Sequence, residues 1–417
     1  MKKFMIIAAS AAVVLSACAK IDMGTSKVND IDEPVAFGAY ARKAVVKAGQ
    51  AGELTTTALQ GSGFGVFAYQ TTGNYSTSAT PNFMYNTKVY GASWTYDIIK
   101  YWPNQIQAGD TDRQPATAFQ ADKVSFFAYG PYVPATASTG VPTDDATSGI
   151  TALTNNATAG DPKVSFKVSN DLSKQVDLVW AVSNGATWTN VGGTTNTPVS
   201  GKPYLNLQKP ALNTAIHFYF KHALSQVKLQ AVAAYNQIAE GGTAQDGVKI
   251  TIASVTVTIP GVSETAVLNL NNTTADAPLW ENASGSSDLT LTIADANINA
   301  ALKDAGDKLA SEQPAGVTGT ATDVIADSKY YTIIPKDGAT NVNVKIVYYV
   351  TTDDPDLLGG KSRVKNEIEK TVSFAKFEAG KKNTIKMILG ISEVKFVAEV
   401  DEWADGLSGE VNLPLNS

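Results

Sequence analysis

Residues 216–221 read Ile-His-Phe-Tyr-Phe-Lys. In an extended chain successive side chains point to opposite faces, so Ile216, Phe218 and Phe220 share one face and His217, Tyr219 and Lys221 the other. The same period of two recurs in Phe64-Gly65-Val66-Phe67-Ala68-Tyr69, in Val124-Ser125-Phe126-Phe127-Ala128-Tyr129, in Val176–Trp180 and in Val342–Val350. Further apolar runs lie at 248–259, 267–270, 330–334, 372–377, 384–389 and 394–400. Segments 71–93, 133–161 and 184–202 are rich in Thr, Gly, Asn and Pro and predict surface loops. Short strands along the whole length predict an all-β protein, built as two antiparallel β-sandwich domains in tandem. The join is expected near residue 205, giving domains 34–205 and 206–417. Phe377–Thr384 (FEAGKKNT) predicts a hairpin with Gly380 at its turn. The spacing of Ile298, Leu302 and Leu309 predicts one short helix within 291–310.

The first residues carry a different signal. Lys2 and Lys3 precede an apolar stretch, Phe4–Leu15, that is too short to span a bilayer and has the proportions of a secretory signal. Leu15-Ser16-Ala17-Cys18 resembles a bacterial lipobox. In a lipobox the cysteine thiol receives diacylglycerol, the signal (here 1–17) is removed, and the new amino group is acylated, with palmitate expected. The alternative is an ordinary signal peptide in which Cys18 is incidental. Cys18 is the only cysteine, so the rest of the chain has no disulfide chemistry. Residues 18–33 read as a polar tether, and no second long apolar run follows.

Composition narrows the function classes. The net charge is −6 with only three arginines, Arg42, Arg113 and Arg363, which argues against nucleic acid as a partner. Hydrophobic content of 44% supports a packed core, and 17% charge with abundant Thr, Ser, Asn and Gly suits an extracellular β-protein.

Catalytic constellations are thin. His217 and His222 are the two histidines. On one strand they have opposite parity and face apart, which suits structural roles better than a shared metal. Gly61-Ser62-Gly63-Phe64-Gly65 leads into a strand rather than a helix, so it reads as turn chemistry rather than a phosphate loop. Asp144-Asp145 and Asp353-Asp354-Pro355-Asp356 match no cation-loop spacing and read as solvated loop tips. Trp94 and Trp102 read as core. Trp188, in a Thr/Asn-rich loop, suits core or ligand equally. The expectation is a protein that is not an enzyme and carries no cofactor and no metal.

Several runs in order resemble the fimbrillin family, the lipoprotein subunits of type V pili. They are FGVFAY (64–69), FMYNTKV (83–89), Trp94 followed by Lys100-Tyr101-Trp102-Pro103, and SFFAYGPY (125–132). DLVWA (177–181), FYFKHALSQVKL (218–229), FEAGKKNTIKMIL (377–389) and Trp403 continue the series. The resemblance implies two transthyretin-like sandwiches and a structural, adhesive role in a cell-surface fimbrium. It implies export to the outer membrane as a lipoprotein, then cleavage by a trypsin-like protease that removes the lipidated segment with the first strand. A neighbour's C-terminal strand then fills the slot. In this chain the strand would be Pro34–Tyr40, with Val35, Phe37 and Ala39 on one face, and the cut would follow Arg42, with Lys43 and Lys47 as neighbouring sites. The donor would be Glu410–Leu415, where Val411, Leu413 and Leu415 alternate and Pro414 must face an unpaired position. Partners implied are other fimbrial subunits, the outer membrane through the lipid, and a host or bacterial surface ligand. The competing reading is a non-polymerising surface lipoprotein that binds glycans through Trp188 and Tyr204.

Overall fold

The computed structural model describes residues 34–41, 54–103, 122–143, 149–190, 193–212, 214–233, 239–240, 243–244, 248–274, 276–303, 321–326, 329–389 and 394–402. Strand β1 (Phe37–Ala41) precedes helix α1 (Thr56–Ser62), then β2 (Phe64–Thr71), β3 (Met84–Val89), β4 (Lys123–Gly130), β5 (Ile150–Leu153) and β6 (Lys163–Lys167). Next come β7 (Val179–Val182), a small ribbon of β8 (Trp188–Thr189) and β9 (Thr195–Asn196), β10 (Tyr204–Leu207), β11 (Ile216–His222) and β12 (Ser225–Ala233). A second ribbon, β13 (Ala239–Glu240) and β14 (Thr243–Ala244), leads to the long β15 (Val248–Asn269) and β16 (Leu279–Ile293). The last elements are α2 (Ala300–Lys303), β17 (Thr322–Asp323), β18 (Tyr331–Ile333), β19 (Thr340–Asp353), β20 (Lys361–Phe374), β21 (Lys381–Leu389) and β22 (Val394–Glu402).

The chain is all-β, as its periodicity predicts, and three sheets organise it. The first runs β1-β11-β7-β4-β2-β3, with β10 also on β4. Both of its faces are covered. Phe64, Val66 and Ala68 of β2, Val124, Phe126 and Ala128 of β4, and Ile216, Phe218 and Phe220 of β11 enter one core layer with Leu59 of α1. Phe67, Tyr69, Phe127, Tyr129, Trp180 and Val182 enter another, shared with Phe166 and Leu268. Strands β2 and β4 therefore carry apolar residues at both parities, as a sheet covered on both sides requires. The second sheet runs β20-β19-β15-β6-β5, with β16 also on β15, and the third runs β17-β12-β21-β22, with β18 on β12. A third core layer, including Leu229, Ile252, Val257, Ile346 and Met387, fills the space between these two sheets.

Strand β15 joins two of the core layers. Ile250 and Ile252, then Val255, Val257 and Ile259, point into the third layer, whereas Ala266 and Leu268 point into the layer under the first sheet. Register shifts between Ile252 and Ser254 and between Ile259 and Val262 switch the inward parity from even to odd and back. A bulge does this by inserting one extra residue into one strand. Runs that read as separate segments at 248–259 and 267–270 are thus one bent strand. Around residue 205 the pairing interleaves. Strands β5 and β6 join the sheet of β15, and β11 joins the sheet of β1.

Three local expectations are revised. Gly380 does take the turn at 377–384, with φ +69, but β20 and β21 on either side lie in different sheets, so the segment is a crossover rather than a hairpin. Within 291–310, β16 runs to Ile293, and the described residues then hold a 3-10 turn at Asp295–Asn297 and the short helix α2, while Leu309 lies outside the described residues. Strands β3 and β5 form inside segments that read as loops. Strand β5 is four residues with only its two ends buried, too short to carry a visible period.

Candidate functional site

Strand β1 ends the first sheet, and its neighbour β11 holds it in unbroken register from Phe37–Ile216 to Ala41–Phe220. The two strands run parallel, which the sequence did not indicate. Among the described residues only this ladder and that of β12 with β21 are parallel. The direction fixes which atoms face where. The Ile216 N–H donates to the Ala36 carbonyl at 2.8 Å, so the parity of Ala36, Gly38 and Tyr40 turns its backbone toward β11. Val35, Phe37, Ala39 and Ala41 turn their side chains to the core and their backbone outward.

That outward backbone is fastened at both ends. Val35 N–H donates to the Lys100 carbonyl at 2.8 Å, and the Val35 carbonyl accepts from Tyr96 Oη at 2.8 Å. At the other end Ala41 N–H donates to Thr56 Oγ1 at 2.9 Å, and the same hydroxyl donates to the Ala41 carbonyl. Burial pushes the Tyr96 phenol above its ordinary range, so it stays a protonated donor.

Side chains complete the seat. Val35, Phe37 and Ala41 are 2%, 6% and 3% exposed. The Phe37 ring meets Tyr96 edge-on at 5.4 Å and Phe126 at 6.0 Å, and stacks on Phe218 at 5.8 Å. Burying a phenylalanine side chain contributes about 2–3 kcal/mol. Gly38 is required by close approach, because a Cβ there would stand 2.3 Å from Nδ1 of His217. Desolvation lowers the His217 pKa from its ordinary 6.5. His222, at the far end of β11, is buried with its Nδ1 2.9 Å from Asp177 Oδ1, and Asp177 Oδ2 accepts from Leu54 N–H at 2.8 Å. Of the two histidines at opposite ends of β11, His222 is buried and His217 is exposed beside Gly38.

The described residues thus place the strand expected at 34–40 at a sheet edge, in an apolar slot. Cys18, Arg42, Lys43, Val411, Leu413 and Leu415 lie outside the described residues. Trp94 packs on Phe64 with centroids 5.5 Å apart, and Trp102 is buried against Phe126 at 5.7 Å. Tyr204, offered above as a sugar platform, is buried. It donates to the His217 carbonyl at 2.8 Å, and burial pushes its pKa up to about 12. Trp188 packs beside it at 6.4 Å, with its indole nitrogen buried. Asp354 accepts from Asp356 N–H at 3.2 Å, a local turn contact. Among the described residues no three His, Cys, Asp or Glu side chains gather as metal ligands. The fastening groups Thr56, Tyr96 and Lys100 escaped the sequence reading, because their partners lie 15 to 65 residues away and no local pattern marks such contacts.

No family model matches the chain. It is 27% identical over 383 residues to the fimbrium subunit Fim1C of Phocaeicola vulgatus, covering 87% of each chain. A crystal structure of a fimbrial protein from Bacteroides vulgatus superposes with a TM-score of 0.57 at 22% identity, over 89% of this chain and 100% of that one. The resemblance read from the sequence is therefore borne out: this chain is a homologue of a Bacteroidetes fimbrium subunit and has the fold of a Bacteroides fimbrial protein.

Proposed function

We propose that the chain is a structural subunit of a cell-surface fimbrium that serves adhesion, and that it assembles by giving up β1 and accepting a strand from a neighbour. In this reading Cys18 carries the lipid to the outer membrane. A protease cuts after Arg42 or Lys43, and the tail of another subunit, with Val411, Leu413 and Leu415 inward, replaces β1. The work is mechanical rather than catalytic. The single observation that carries this reading is the placement of β1, an edge strand with an apolar face in a pre-shaped slot, ending one residue before Arg42. Removing it would bare the backbone groups of Ile216, Phe218 and Phe220 together with the aromatic pocket of Phe37. An exposed edge over an apolar groove favours strand addition.

N-terminal sequencing of the protein from native cells tests the processing. A start at Lys43 or Ala44 is expected for an assembled subunit, and an acylated Cys18 for an anchoring one. Trypsin treatment of the chain beginning at Ala19 should yield a core starting near Lys43 that forms ladders on gels. A core that keeps residues 34–40 and stays monomeric would overturn the exchange.

A further inference from the structure

We infer that the incoming strand, residues 410–415 of a second copy, runs antiparallel to β11, opposite in direction to the β1 that it replaces. This inference rests on the strand-exchange reading. Two observations on different parts of the chain carry it: the direction of the β1 ladder and the position of Pro414.

In β1, parallel to β11, the residues whose side chains face the core turn their N–H groups away from β11. Val35 shows this with its bond to Lys100, and Ala41 with its bond to Thr56. The outward residues do the opposite. The Ala36 carbonyl accepts from Ile216, so Gly38 and Tyr40 are the positions that donate toward β11. Rotating a strand by half a turn about the sheet normal keeps each side chain on its face but exchanges the two edges. An antiparallel occupant therefore turns the backbone of its inward residues toward β11 and that of its outward residues away.

The tail reads Glu410-Val411-Asn412-Leu413-Pro414-Leu415. With Val411, Leu413 and Leu415 inward, Pro414 is an outward residue. A parallel occupant would bring its nitrogen to the edge where β11 offers a carbonyl, and proline has no hydrogen to donate. An antiparallel occupant points that nitrogen away from β11, where its lack of a proton costs nothing. Leu413 then fills the pocket of Phe37, Val411 the place of Ala39 and Leu415 the place of Val35. Proline also holds Leu413 in the extended region, which suits a strand.

The test uses the chain beginning at Ala19, which lacks Cys18, with Thr214→Cys as its only thiol. Thr214 precedes β11 and extends the β1 register to the level of Val35. The chain is cut with trypsin and mixed with excess synthetic peptide 408–417, which has no lysine or arginine and survives the protease. Two peptides carry a thiol on the inward face, symmetrically about Leu413, one as Leu415→Cys and one as Val411→Cys. The antiparallel strand brings residue 415 level with residue 214, and predicts that the Leu415→Cys peptide forms the disulfide at least fivefold faster. It also predicts that a Pro414→Ala peptide binds within twofold of the parent. Faster coupling of the Val411→Cys peptide would overturn the orientation alone. So would a Pro414→Ala peptide that binds about fivefold tighter, the gain expected from one recovered ladder bond. If no peptide binds, strand exchange itself fails, and this orientation with it.

Discussion

Phe37 of β1 stacks on Phe218 of β11, with ring centroids 5.8 Å apart and planes inclined by 15°. The ring, with its contacts to Tyr96 and Phe126, adds an apolar anchor to the five-residue ladder that pairs β1 with β11. Replacing Phe37 by alanine removes the ring and leaves a cavity among three aromatic side chains, a change that costs about 3–5 kcal/mol in protein cores. The loss seen in urea titration should fall below that range, because an edge strand can detach without global unfolding. Hydrogen exchange separates the two effects. The amides of Ile216, Phe218 and Phe220, which face β1, should exchange at least tenfold faster in Phe37→Ala, while those of β19 change little.

Gly38 and His217 form a second contact that can be tested as a pair. A Cβ on residue 38 would meet Nδ1 of His217 at 2.3 Å and Cε1 at 2.6 Å, so either the imidazole or one of the two strands must move. Gly38→Ala should lower the melting temperature by several degrees and loosen β1. His217→Ala alone should do little, and the double variant should recover most of the loss. Strong coupling between contacting residues is what a double-mutant cycle detects. If the two losses simply add, the ring is not what excludes a side chain at 38.

Much of this architecture was legible in the sequence, for a physical reason. Ile216, Phe218 and Phe220 are buried and alternate with His217, Tyr219 and Lys221, because the outer face of β11 is less covered than its inner face. The same logic placed the core strands β2, β4 and β19, and it found Val35 and Phe37 as inward residues of the first strand. It missed what depends on distant pairing. The parallel direction of β1, the joining of two runs into β15 and the crossover at Gly380 are set by which strands meet in space, and spacing along the chain does not encode that. Tyr204 misled because an aromatic in a polar neighbourhood reads as exposed until the His217 carbonyl that satisfies its hydroxyl is located.

The retention of β1 should depend on pH, with a definite sign. Partial desolvation lowers the pKa of His217 in the folded chain below its ordinary 6.5, so the detached or unfolded state binds the proton more readily. The stabilising contribution is present above about 6.5, the unfolded value, and is lost as the pH falls through the lower folded value. After trypsin cleavage the segment containing β1 should leave the core faster at pH 5 than at pH 7.5. Size-exclusion chromatography of the cut protein at the two values checks this. His217→Gln cannot titrate and should flatten the difference, whereas an unchanged difference would assign the effect to other groups.

The Asp177–His222 pair supports the sheet away from the slot, and its loss should have a different signature. Asp177 is 1% exposed, stands 2.9 Å from Nδ1 of His222, and accepts from the Leu54 N–H at 2.8 Å. Asp177→Ala strips the acceptor from a buried N–H and removes the carboxylate facing a buried imidazole, a kind of loss that costs about 3–5 kcal/mol. Asp177→Asn keeps an oxygen for Leu54 and should cost less, about 1–3 kcal/mol. Both losses should appear as a lower urea midpoint with an unchanged slope, which marks a change in stability rather than in compactness. Neither substitution touches Phe37, Gly38 or the groups that fasten Val35 and Ala41. Exchange at Ile216, Phe218 and Phe220 should therefore rise only as far as global unfolding carries it. A selective rise there in Asp177→Ala would mean that this buried pair, rather than the aromatic pocket, governs the hold on the first strand.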